Sequence, residues 1–102
     1  MERVRNDKYL TSFEKHLERR YGKIGTPRRT EFEISAEAFA IGEIIKEERR
    51  LSKLTQAQLA EKTGTKKSYI SRVENGYSDI QLSTLYKLIE LGFGKRVVLS
   101  VQ

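Results

Sequence analysis

The chain has 102 residues, of which 37 % are hydrophobic and 33 % charged, a composition that suits one small compact domain with an additional arm. It contains no cysteine and one histidine, His16. Disulfides and thiolate metal sites are therefore excluded, and a His-based catalytic site is disfavoured. Neither a run of about 18 apolar residues nor an apolar signal core is present, so we expect a soluble, cytoplasmic protein. Because cysteine is absent and His16 is the only histidine, we also expect that the protein is not an enzyme and needs no metal or cofactor. The net charge of +6 favours a polyanionic partner.

Residues 1–34 are expected to form an N-terminal arm with one or two short helices. A capping box begins at Thr11, and an apolar residue then recurs at every fourth position, as on one stripe of a helix: Phe13, Leu17 and Tyr21. Two glycines and the only proline follow, which predicts a turn and a second short helix that begins at Pro27. The apolar stripe fits two interpretations, since it either extends the core of the protein or binds another protein.

Residues 35–92 are expected to form a helical domain. Ser35 is a suitable N-cap for a helix that runs to Leu51, and its predicted apolar face consists of Phe39, Ile41, Ile44, Ile45 and Leu51. A last helix is predicted over residues 81–92, where the apolar positions are Leu82, Leu85, Leu88 and Ile89.

Between these two helices the sequence LTQAQLAEKTGTKKSYISRVENG spans residues 54–76. A capping box at Thr55 predicts a helix over residues 56–62, and Gly64 fits the left-handed position that ends it. A second helix is predicted from Thr65 to about Glu74, and Gly76 ends it. Two short helices joined by a tight glycine-bearing turn form a helix-turn-helix.

The segment 93–102 contains the β-prone run RVVLSV, which predicts one strand over residues 96–101. A lone strand cannot satisfy its own backbone hydrogen bonds. We therefore expect it to pair with the same strand of a second copy and form a homodimer. The alternative is that it docks on the N-terminal arm of its own chain.

Residues 54–76 resemble the helix-turn-helix of the phage-repressor-like XRE family, on the pattern L-T-Q-x-x-L-A, then G-T, then I-S-R-x-E-x-G. The resemblance implies a mainly α, lambda-repressor-like helix-turn-helix bundle, here with an N-terminal helical arm and one C-terminal β-strand. It also implies that the second helix of the motif enters the major groove of double-stranded DNA, with dimers on inverted-repeat operators. The implied DNA-binding residues are Gln56, Thr65, Lys66, Lys67, Ser68, Tyr69 and Arg72.

Within this set, Lys67 and Arg72 are the best suited to reach guanine O6 and N7. Gln56 opens the preceding helix and is expected to contact a phosphate. The resemblance further implies an ion pair between Arg49 and Glu74, because repressors of this family carry an arginine six residues before the threonine of the motif.

The run HLERRYGKIGTPRRTEFE, together with LGFGKRVVLSV after the domain, is similar to bacterial antitoxins of the HigA type. This similarity implies that the protein neutralises a small basic ribonuclease toxin of the RelE/HigB-like kind and represses the shared operon. The expected partner-binding residues are Phe13, Leu17, Tyr21 and Phe32. The alternative function is that of a stand-alone dimeric repressor of the XRE family without a toxin partner.

Overall fold

The computed structural model describes residues 11–77 and 79–102. Its contacts divide the chain into two compact units, one of which contains residues 11–34 and Leu99–Gln102, and the other Ser35–Val98. The first ten residues of the predicted N-terminal arm lie outside the described residues. Within the described ranges, no helix is both long enough and apolar enough to cross a membrane.

The first unit begins with helix α1, Ser12–Tyr21, where the sequence predicts a helix. The capping box at Thr11 is complete, because Glu14 N donates to Thr11 Oγ1 at 3.1 Å and Thr11 N donates to Glu14 Oε2 at 3.2 Å. The rings of Tyr21 and Phe32 stack with their centroids 3.9 Å apart. Arg29, which is buried, donates from Nη1 to Gly22 O at 3.1 Å. The turn after α1 is thus held by an aromatic stack and an arginine.

Helix α2 spans Pro27–Leu51 without interruption, so the prediction of a separate helix capped by Ser35 is wrong. The helix starts at Pro27, as predicted for the shorter element, and Arg29 N donates to Thr26 Oγ1 at 3.4 Å. No glycine or proline occurs between Arg28 and Ser35 to stop it, so a serine that suits a cap is accommodated inside a helix that has already begun.

The buried face of α2 is narrower than the sequence predicts. Ile45 is fully buried and Ile41 packs against the core of the second unit. The other three residues of the predicted apolar face are exposed, namely Phe39, Ile44 and Leu51. A small core of short helices covers only one side of α2, and apolar residues elsewhere on the helix remain in solvent.

The helix-turn-helix follows as predicted, with α3 at Gln56–Thr63 and α4 at Lys67–Glu74. The second helix begins two residues after Thr65, where the sequence predicts its start. Thr55 and Gln58 form a complete capping box, and Gly64 adopts the left-handed conformation, φ +69°, that glycine occupies without a Cβ clash. The core that holds these helices consists of Ile45, Leu59, Ala60, Ile70, Val73 and Leu88.

The close approach of α2 and α4 beside this core requires glycine at position 42. A Cβ at Gly42 of α2 would lie 2.3 Å from Val73 O in α4, so glycine is required where these backbones meet. The predicted last helix is observed as α5, Leu82–Tyr86, which continues as a π-helical turn over Lys87–Gly92. Leu88 is buried as predicted, whereas Leu82 is exposed.

The strand predicted over residues 96–101 is not observed, and the described residues contain no strand elsewhere. Lys95 Nζ lies 2.7 Å from Glu48 Oε2, but Val98, Leu99 and Val101 are 83 %, 67 % and 98 % exposed. The physical reason is the one that makes a lone strand unstable: its backbone needs a neighbouring strand, and the described part of this single chain offers none. The fold is mainly helical, as predicted, without the C-terminal strand.

Candidate nucleic-acid interface

Helix α4 presents opposite chemistry on its two sides. Ile70 and Val73 are buried in the core, and they fix the rotation of the helix. Lys67, Ser68 and Arg72 are exposed on the other side. The only acid in α4 is Glu74, which is buried, so the exposed side of the helix carries positive charge without a neighbouring carboxylate of its own.

The start of α4 combines two lysines with the lack of a side-chain cap. Lys66 is the N-cap residue and makes no side-chain capping hydrogen bond, and the first helical residue is Lys67. The first N–H groups of a helix carry partial positive charge, so cations at this end reduce helix stability and anions increase it. Two lysines here are unfavourable for the isolated helix but would favour the approach of a phosphate or a base acceptor to this end.

An open depression runs along this side of α4. Its lining contains five of the seven predicted DNA-binding residues and two further polar residues from the start of α5: Thr65, Lys66, Ser68, Tyr69 and Arg72, with Gln81 and Thr84. Gln81 and Thr84 were not predicted from the sequence, because only the packing of α5 brings them to this surface. Lys67 is exposed on the first turn of α4 beside this lining.

Three side chains of the depression make contacts within the protein. Tyr69 Oη donates to Asp79 O at 3.3 Å and accepts from Gln81 N at 3.4 Å. The Arg72 guanidinium carbon lies 5.8 Å from the centroid of the Tyr69 ring, within range of a cation–π interaction. Thr65 Oγ1 lies 2.9 Å from Thr63 Oγ1. Contacts within the protein therefore hold part of this surface in place.

The residues that form these helices and the glycine turn between them match a known protein family. Residues 45–91 match the family model described as Helix-turn-helix. Residues 45–91 form an XRE-type helix-turn-helix domain. No curated protein and no solved structure matches the chain significantly. Domains of this family bind DNA, and the depression described above lies on the helix that reads DNA in such domains.

The helix-turn-helix domain contains a partly buried charge network behind α4. Arg49 Nε lies 2.7 Å from Glu74 Oε2, and Arg49 Nη2 lies 2.9 Å from Glu74 Oε1. The guanidinium thus binds the carboxylate in a bidentate manner. Arg49 Nη1 also donates to Leu54 O at 3.0 Å. Together these bonds join the end of α2, the start of the motif and the end of α4.

The hydrogen bonds of this network stabilise the charged forms of both Arg49 and Glu74. Burial by itself raises the pKa of Glu74, but hydrogen bonds from Arg49 and Gln56 and the Arg49 charge outweigh it, so the pKa lies below its ordinary value. The hydrogen bond to Glu74 raises the pKa of Arg49 against the opposing effect of burial. Both groups are therefore charged at neutral pH.

Gln56 belongs to this network as well as to the predicted DNA surface. Its Nε2 donates to Glu74 Oε1 at 3.1 Å, a contact that no pattern in the sequence indicates. One amide hydrogen remains for a phosphate, and the bond to Glu74 fixes the orientation of the amide. The structure therefore places Gln56 beside the ion pair, whereas the lining of the depression comes from α4, α5 and the residues before each of them.

The residues predicted to bind a protein partner lie in the first unit. Phe13 is 69 % exposed, Leu17 is half-buried, and Tyr21 and Phe32 are half-buried against each other in their stack. Phe13 is thus the member of the set that offers its side chain most fully to solvent. No cluster of three metal-ligating side chains occurs among the described residues.

Proposed function

We propose that this protein is a sequence-specific DNA-binding repressor in which α4 enters the major groove. The observation that carries the proposal is the convergence of Thr65, Lys66, Ser68, Tyr69 and Arg72 on one open surface beside an uncapped, cationic helix start. Arg72 and Lys67 have the length and the donors to reach guanine O6 and N7. Ser68, Thr65 and the free helix N–H groups suit phosphate oxygens.

The direct test is DNA binding measured by fluorescence anisotropy on a duplex enriched from a random library. Arg72→Ala should weaken binding by about 1–3 kcal/mol and relax the preference at one base position. Gln56→Ala should weaken binding to all sequences about equally, because it removes a phosphate contact. Arg50, exposed at the end of α2, provides the matched control, and Arg50→Ala should leave the base preference unchanged.

The salt dependence supplies an independent check. Neutralised phosphates release counterions, so log affinity should fall linearly with log salt concentration. An affinity that does not depend on salt, or equal losses for Arg72→Ala and Arg50→Ala at every base position, would rule out this mode of binding.

We further propose that the repressor acts as a homodimer on an inverted repeat whose half-sites are about one helical turn apart. The exposed apolar side chains of Val98, Leu99 and Val101 support this proposal, since pairing with a second copy would cover them and satisfy the backbone. Val98→Lys should shift the sedimentation coefficient from dimer to monomer and reduce operator affinity. A monomeric wild-type chain would favour docking within the chain instead.

We also propose that the protein is an antitoxin for a small basic ribonuclease toxin, an interpretation that rests on the resemblance of residues 16–33 and 91–101 to HigA-type antitoxins. The proposed contact surface consists of four residues of the first unit. Phe13 is exposed, and the other three predicted members are Leu17, Tyr21 and Phe32. A stand-alone repressor of the XRE family remains the alternative function, because it needs only the DNA surface.

These two functions differ in what co-purifies with the tagged protein from its native cell. An antitoxin should carry a stoichiometric small partner whose expression alone stops growth. Phe13→Ser should release that partner, whereas Ile44→Ser, which changes a similarly exposed apolar residue of the second unit, should retain it. Recovery of DNA without any protein partner would identify a stand-alone repressor.

A further inference from the structure

Tyr69 differs from the other residues on the outer side of α4 because its two ends make contacts within the protein. Its hydroxyl donates to Asp79 O and accepts from Gln81 N. Its ring lies below the Arg72 guanidinium, one helical turn further along α4, at 5.8 Å. One half-buried side chain therefore touches both the longest cation of the surface and the segment that leads into α5.

We propose that Tyr69 is a positioning residue for DNA recognition, which orients Arg72 through its ring and holds the segment 79–81 through its hydroxyl. This inference rests on the proposed DNA-binding function. Its consequence is that Gln81 and Thr84, which line the same depression, are held at a fixed distance from the reader Arg72.

The ring acts on Arg72 through charge and entropy. The face of a tyrosine ring attracts a guanidinium, and a stacked arginine samples fewer rotamers than a free one. An arginine that is ordered before binding loses less conformational entropy when it meets a base. Tyr69 therefore favours the bound conformation of Arg72 without contacting DNA itself.

The hydroxyl acts on the backbone on the far side of the depression. A phenol can donate one hydrogen bond and accept another, and here both are used on main-chain groups of Asp79 and Gln81. The distances of 3.3 and 3.4 Å are long for such bonds. We therefore expect the hydroxyl to contribute less to binding than the ring does.

A double-mutant cycle separates positioning from direct DNA contact. Tyr69→Phe keeps the ring and should lower affinity by at most about 3-fold for all sequences, with the base preference retained. Tyr69→Leu should lower the discrimination at the base read by Arg72 by about 2- to 5-fold. In an Arg72→Ala background, Tyr69→Leu should cause no further loss of discrimination, because the residue on which it acts is gone.

The result that would overturn the inference is equally specific. If Tyr69→Leu lowers affinity and discrimination by the same factor with and without Arg72, then Tyr69 contacts DNA directly and the inference is wrong. Tyr77→Phe, which removes the hydroxyl of a tyrosine that is 82 % exposed, is the matched control and should change nothing. Thermal unfolding followed by circular dichroism should show that each variant is folded.

NMR of the free protein tests the two contacts of Tyr69 without DNA. In the NMR spectrum the δ protons of Arg72 should show a ring-current shift that Tyr69→Phe preserves and Tyr69→Leu abolishes. The Gln81 amide should exchange faster with solvent in Tyr69→Phe than in wild type. Absence of both effects would overturn the positioning role. Their presence in a protein that binds no duplex would refute the proposed function while keeping the contact itself.

Discussion

Charge reversal at Lys67 should move stability and DNA affinity in opposite directions. Lys67 is the first residue of α4, directly after an N-cap that makes no side-chain capping bond. Its positive charge therefore lies at the positive end of the helix dipole, where a carboxylate would be favoured. Lys67→Glu replaces an unfavourable interaction with a favourable one and removes a cation from the proposed DNA surface in the same step.

Both effects are large enough to measure, and the effect on binding is the larger. For an exposed side chain in the first turn, the dipole interaction should raise the free energy of unfolding by about 0.5–1 kcal/mol, or roughly 2–8 °C in Tm for a domain of this size. The loss of a bidentate base contact should weaken binding by about 1–3 kcal/mol, which is roughly 5- to 150-fold in Kd. Repulsion between the new carboxylate and phosphate adds to that loss.

Thermal denaturation and fluorescence anisotropy on the enriched duplex measure the two quantities on the same samples. Lys87→Glu is the matched control, because Lys87 is exposed in the last helical segment and the change in net charge is identical. A lower Tm for Lys67→Glu would refute the dipole argument. An affinity loss no larger than that of Lys87→Glu would show that Lys67 acts only through net charge.

Two further predictions concern the packing behind α4. Glu74→Gln strands the Arg49 charge and should lower the free energy of unfolding by roughly 3–5 kcal/mol at neutral pH. Because the pKa of Glu74 is depressed by its partners, wild-type stability should fall as pH drops below about 4.5, the ordinary value, and the variant should lack this component. Gly42→Ala should lower the free energy of unfolding by about 1–3 kcal/mol in urea denaturation, because its Cβ would meet Val73 O.

A specific outcome would contradict each of these two predictions. An unchanged Tm for Glu74→Gln, or an acid transition of the same size in both proteins, would mean that the ion pair contributes nothing to folding. Glycine-to-alanine changes in an unobstructed helix stabilise it by about 0.5–1 kcal/mol. A stabilised Gly42→Ala protein would therefore show that α2 and α4 do not approach closely at this point.

The helix-turn-helix was predictable from the sequence because its signals are local. The capping box of Thr55 and Gln58 determines where α3 begins, and the left-handed Gly64 determines where it ends. The burial of Ile70 and Val73 then fixes which side of α4 faces out. Each signal involves residues within one or two turns of one another, so no tertiary contact was needed to interpret them.

The other features of the fold and of the candidate DNA surface depend on contacts that sequence spacing does not reveal. Gln56 donates to Glu74 across 18 positions, and Gln81 reaches the depression only through the packing of α5. Ser35 carries a local capping signal, but the preceding helix already continues through it. The segment 96–101 has strand propensity, yet propensity cannot supply the second strand that its backbone needs.

The starts of α1, α3 and α4 differ in a way that indicates where function lies. Both α1 and α3 begin with complete capping boxes, so this sequence uses a strongly stabilising local device at two of its helix starts. At α4 it places Lys66 and Lys67 instead, with no side-chain cap and no acid in the first turn. Stability alone would favour the same device at all three helices. α5 also begins without a side-chain cap, and α2 also carries two cations in its first turn, Arg28 and Arg29. At α4 the two features occur together beside the depression that Arg72 and Tyr69 line. Departures from local preference are concentrated at functional sites, so this is the side of α4 that we expect to meet DNA.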